Sequence, residues 1–152
     1  VSEATQAINL VPNNPDYHSN LGLNFLDGLN VNPNATESAV ASLQKAVNLD
    51  YKNPLYHLAL GKALLAQARP DLAQRQFEAS LALDPGQTNV YIYLYISLRR
   101  QGLIAPALEV LKTAKNTVVP NSSDDLIIDR EIKALEYPTQ PPESNFNQII
   151  NK

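Results

Sequence analysis

The residues able to do chemistry are few. The chain holds two histidines, His18 and His57, and no cysteine. A structural zinc shell takes four ligands and packed helices stand about 8–10 Å apart, so two His with no third His and no thiolate leave a shell unfinished. The missing Cys also removes disulfides and cysteine nucleophiles, while leaving the compartment open between a reduced cytosol and an oxidising periplasm. Asp124, Asp125, Asp129 and Glu131 are carboxylates enough for a cation, but they lack the alternating spacing and the Gly of a calcium loop. A solvated helix start is the better reading of that cluster. There is no Gly-rich phosphate loop and no Ser in a nucleophile elbow. The expectation is a chain with no catalytic residue, no metal and no cofactor.

Composition restricts the partners. A length of 152 residues suits one compact unit with a continuous core. Apolar residues make up 44%, so the chain can fold, and charged residues only 18%, below the usual quarter. The net charge is -3 with no basic block, and nucleic acid needs Lys and Arg gathered on one face, so it is not an expected partner. No apolar run approaches the roughly 18 residues of a membrane helix, and direct membrane insertion is not expected. The first residue is Val, there is no Met, and no signal-peptide pattern opens the chain, as expected of a segment of something longer.

Side chains must be positioned by elements, and the elements here repeat. Ala39, Ala73 and Ala107 stand 34 residues apart, as do Leu43, Phe77 and Leu111, and Ala46, Ser80 and Ala114. Phe25, Leu64 and Leu98 are spaced by 39 and then 34, which places five extra residues between Phe25 and Ala39, in a stretch rich in Asn, Gly and Pro. Leu21-Gly22 and Leu60-Gly61 match, each with a His three residues before the Leu, and Tyr91 precedes Leu94 in the same way.

These columns resemble the tetratricopeptide repeat (TPR) pattern of a bulky residue, Leu-Gly, a large apolar residue, then Ala-x3-Phe, Ala and Pro. The middle unit matches best, with His57, Leu60-Gly61, Leu64, Ala73, Phe77, Ser80 and Pro85. The third unit puts Tyr95 where the family has a small residue, and the first has Tyr51 where Pro is usual. In this register each His stands in for the usual aromatic at a helix-packing position. The resemblance implies an all-α, right-handed α-solenoid of helix hairpins: about three full repeats, a preceding half-repeat and a C-terminal capping helix. The expected bounds are 1–14 for the second helix of a preceding repeat, 15–53, 54–87 and 88–120 for the repeats, and 121–137 for the cap. Residues 138–152 form an extended tail, ending in a short apolar tip of Phe146, Ile149 and Ile150 that could fill a groove or mediate self-association.

Local signals agree with helices. Asn14-Pro15 and Asn53-Pro54 are helix starts, in which Asn caps free amides and Pro fits the first turn. Ser122-Ser123-Asp124-Asp125 starts the cap, with carboxylates at the positive end of the dipole. Gly22 and Gly61 are expected on the buried face, where lack of a side chain lets the partner helix close in. Val90 to Leu98, aromatic and β-branched, reads alone as a buried strand, but its Tyr91, Leu94 and Leu98 hold helix columns.

Stacking of the implied kind makes the first helix of each repeat line a concave surface. The side chains expected there are Ser19, Leu23 and Leu26; Leu58, Lys62 and Leu65; and Asn89, Ile92, Tyr93, Ile96, Arg99 and Arg100. An extended peptide could lay apolar groups on it, with Arg99 and Arg100 meeting a carboxylate. The family's Lys- and Asn-rich clamp for chaperone tails is not matched, because Ser19 and Leu23 occupy its first-unit positions. The expected function is a scaffold for a protein or extended peptide. The alternative is a soluble TPR appendage, on either side of the membrane, of a larger membrane-associated glycan-assembly or secretion/pilus protein, with the array mediating assembly.

Overall fold

Helix starts fall where the capping chemistry puts them. In the computed structural model, which describes residues 3, 11–28 and 35–137, the Asn14 side chain accepts from Asp16 N–H at 2.9 Å and Asn53 from Leu55 N–H at 3.0 Å. Pro15 and Pro54 follow as first helical residues, where an N–H would have no partner. The elements are α1 (Pro15–Asp27), α2 (Ala35–Leu49), α3 (Pro54–Ala66), α4 (Pro70–Leu83), α5 (Thr88–Arg100), α6 (Ile104–Lys115) and α7 (Ser123–Glu136). There is no strand among the described residues, and no described helix is long and apolar enough to cross a membrane. The expected 1–14 helix lies outside the described residues apart from 3 and 11–14, as do residues 29–34 of the inserted connection and the whole tail 138–152.

Each helix packs on the next, and α3 also touches both α1 and α5. Two glycines sit where neighbouring helices come close. A Cβ on Gly22 would stand 2.4 Å from Leu43 Cγ, and one on Gly61 would stand 2.4 Å from Phe77 Cε1. Ala39, Leu43 and Ala46 of α2, Ala73 and Phe77 of α4, and Ala107, Leu111 and Ala114 of α6 are all buried in one continuous core. Two of the connections between α3 and α4 and between α5 and α6 share a left-handed residue 34 positions apart, Ala68 at φ 56° and Gly102 at φ 77°.

The strand-like segment is helical. In α5 every residue from Ile92 to Leu98 is buried, and a helix enclosed on all sides has no need of an alternating polar face. Burial explains why the local signal misleads.

Candidate functional site

α1, α3 and α5 lie side by side, so the inner surface is built from their equivalent positions. Of the residues expected there, Leu23, Leu26, Leu58 and Lys62 are half-buried and Asn89 is exposed. Ser19, Leu65, Ile92, Tyr93 and Ile96 are buried instead, each less than 9% accessible. The open part of the face therefore centres on α1 and α3 and thins out along α5. Tyr93 is committed to packing: its ring stacks on Phe77 at 5.7 Å and 22°.

The two arginines are also committed. Arg100 Nη1 donates to the Leu65 carbonyl at 3.0 Å, at the C-terminal end of α3, where that carbonyl also accepts from Ala68 N–H. Arg99 Nη1 lies 3.4 Å from Glu131 Oε2 and donates to the Tyr95 hydroxyl at 3.1 Å. The carboxylate expected to come from a ligand is thus supplied by α7. Lys62 differs. Its Nζ stands 5.4 Å from the centroid of the Tyr93 ring, a favourable place for a cation, and no carboxylate pairs with it among the described residues.

One residue of this face escaped the sequence argument. Leu55, 58% exposed, stands 34 positions before Asn89 and so holds the same column. Applying the column to the middle unit finds it. At the same end of α1 and α3, the Tyr56 hydroxyl donates to Asp16 Oδ1 at 2.5 Å. Burial, and then that bond to a carboxylate, push the phenol up from 10.0 to about 12.

The other chemical candidates resolve into internal contacts. His18 Nε2 donates to the Pro12 carbonyl at 2.8 Å and His57 Nε2 to the Tyr51 carbonyl at 2.9 Å. Both tie a helix to the residue six places earlier, in the turn leading into it, and His57 Nδ1 also meets the Gln76 side-chain amide. The acidic cluster is not a solvated helix start throughout. Asp124 is exposed, but Asp125 and Glu131 are buried. Asp125 pairs closely with Lys115 and accepts from Asn121 N–H, which together hold its carboxyl below the usual range.

No family model matches the sequence, and no curated protein matches it. Solved structures do. The crystal structure of MamA superposes with a TM-score of 0.75 at 16% identity, covering 97% of this chain and 76% of that one. The Yersinia enterocolitica type III secretion chaperone SycD, in complex with a peptide of the translocator YopD, gives 0.64 at 19% identity over 78% of this chain and 95% of that one. A further structure, MamA MSR-1 C2, gives 0.65 at 25% identity over 75% and 63%. The fold is that of TPR-like helical repeat proteins.

Within this fold the departures in α5 acquire a cause. Tyr95 fills the column of Gly22 and Gly61, yet it is fully buried. Its hydroxyl donates to Glu131 Oε2 at 2.8 Å, and burial followed by that carboxylate raises the phenol pKa. A large residue in a small column is satisfied by reaching the next helix. Among the described residues, the chemistry on offer at the inner face is apolar contact on Leu23, Leu55 and Leu58 beside the ammonium of Lys62.

Proposed function

We propose that this chain is a protein-interaction scaffold that holds an extended peptide segment across the inner face of α1, α3 and α5. The observation that carries the reading is Lys62, a half-buried ammonium beside the exposed Leu55 and the half-buried Leu23 and Leu58, with no carboxylate paired to it among the described residues. Such a site favours a segment with apolar side chains and one acidic side chain or terminal carboxylate. The likeness to SycD, solved with a peptide of YopD, supports the reading by showing that a related fold accommodates a peptide.

Selection of a random-peptide library on the immobilised chain tests it. Enriched peptides should carry an acidic group among apolar residues and lose about tenfold or more in affinity with Lys62→Glu, each tenfold being about 1.4 kcal/mol. Leu58→Glu should act in the same direction. Leu103→Glu, at an exposed site outside this face, should leave binding unchanged. No enrichment, or binding indifferent to Lys62→Glu and Leu58→Glu, overturns the proposal.

A further inference from the structure

Among the described residues, every ion pair that joins two helices ends on α7. Lys115 Nζ of α6 meets the carboxylates of Asp125 and, at 2.7 Å, Asp129. Lys112 Nζ of α6 lies 3.5 Å from Glu136. Arg99 and Tyr95 of α5 both reach Glu131, at 3.4 and 2.8 Å. Elsewhere the described helices meet without an ion pair, through apolar surface, as Gly22 does with Leu43 and Gly61 with Phe77, and through hydrogen bonds such as Tyr56 to Asp16 and His57 with Gln76. α7 contributes one fully buried apolar side chain, Ile128, with Ile127, Ile132 and Leu135 only partly covered. It is therefore held by a different balance of forces from the rest of the molecule.

The two sides are complementary in charge. α7 carries Asp124, Asp125, Asp129, Glu131 and Glu136 against Arg130 and Lys133, and the surface beneath it presents Arg99, Lys112 and Lys115. Apart from the buried Asp125, the groups of the α6 pairs are partly open, with Lys115 at 37%, Lys112 at 46% and Asp129 at 46% exposure, so salt screens them. The Arg99–Glu131 pair is the more enclosed, because Glu131 is only 3% exposed.

We propose that the α5–α6 surface under α7 is a second docking site, for an acidic amphipathic helix of a partner protein, with α7 as its built-in competitor. The fitting helix places carboxylates at the relative positions of Asp125, Asp129, Glu131 and Glu136 and apolar groups at those of Ile128, Ile132 and Leu135. This surface is separate from the inner face and does not depend on peptide binding there. Because α7 is tethered by the short segment 116–122, its local concentration is on the order of millimolar, and a free helix of equal affinity is excluded until α7 is weakened.

The test uses the full chain and a labelled peptide of residues 121–137. A chain carrying Asp125→Lys and Asp129→Lys keeps the surface but weakens its own α7. It should bind the peptide about tenfold or more tightly than the unaltered chain, and the binding should weaken as salt rises from about 50 to about 500 mM. Adding Lys112→Glu and Lys115→Glu should abolish it. Equal binding by the doubly substituted and unaltered chains, or binding insensitive to salt, overturns the proposal. A second measurement stands if the variant fails to fold: hydrogen exchange of the unaltered chain at low and high salt. The α7 amides should lose protection at high salt while those of α3 and α5 keep theirs; salt-independent protection of α7 overturns the proposal.

Discussion

Gly61→Ala isolates the helix-packing argument, because two effects of known sign oppose each other there. Alanine in a helix interior gains about 1 kcal/mol over glycine through propensity alone. Its Cβ would stand 2.4, 2.7 and 2.8 Å from Cε1, Cδ1 and Cζ of Phe77, so the ring must move. It has nowhere to go: Phe77 is fully buried and stacked on Tyr93 at 5.7 Å. Overpacking of this kind costs about 1–3 kcal/mol, leaving a net loss of up to about 2 kcal/mol after the propensity gain. Leucine at position 77 has no atoms beyond Cδ, so Phe77→Leu removes two of the three nearest contacts. In that background Gly61→Ala should become neutral or stabilising. A double-mutant cycle measured by urea denaturation should therefore show a coupling of about 1–2 kcal/mol. Gly28→Ala, where a Cβ meets nothing within 4 Å, is the control and should move stability by less than about 0.5 kcal/mol. Gly61→Ala stabilising both backgrounds equally would refute the packing argument.

Three further outcomes follow from local geometry. Ala68, between α3 and α4, is held at φ 56° where Gly102, at the equivalent place between α5 and α6, holds φ 77°. Relieving the left-handed penalty of about 1–2 kcal/mol, less glycine's entropic cost, should make Ala68→Gly stabilising by roughly 0.5–1 kcal/mol; an unchanged or lower melting temperature contradicts this. Tyr56 has its folded pKa raised to about 12, so its contribution to stability is complete below pH 10 and lost as pH rises through about 12. A 295 nm titration should show Asp16→Asn drawing this phenol back toward 10, and superimposable curves would disprove the role of the bond. Asp125 has a depressed pKa, caused first by Lys115, so its share of α7 docking is present above the ordinary carboxylate value and lost as pH falls through the lower folded one. Acid titration of α7 hydrogen exchange should lose this step in Asp125→Asn; an unaltered profile would remove Asp125 from the account.

Much of the fold was legible because backbone chemistry and periodicity act locally or at a fixed spacing. Asn14, Asn53 and Ser122 cap the helices they precede, and Gly22 and Gly61 mark close approach. The register also carried Val90 to Leu98 over a contrary local signal. The site was less legible. Columns say which positions face inward, but not which neighbours cover them, so Tyr93 and Ile96 were expected open and are buried. Pairing of charges depends on a third helix. Nothing local in Arg99 points to Glu131, 32 residues on, and only the misfit of Tyr95 in a glycine column hinted that α5 reaches α7. The cluster at 124–131 looked solvated because the cations it meets, Lys115 and Arg99, belong to other helices.

The most direct measurement is amide chemical-shift mapping of the chain with a peptide selected on it. The account predicts the largest changes at Leu23, Leu55, Leu58, Lys62 and Asn89, with α2, α4 and α6 little affected. Changes concentrated on those second helices, with α1 and α3 silent, would contradict a scaffold that grips its partner from within.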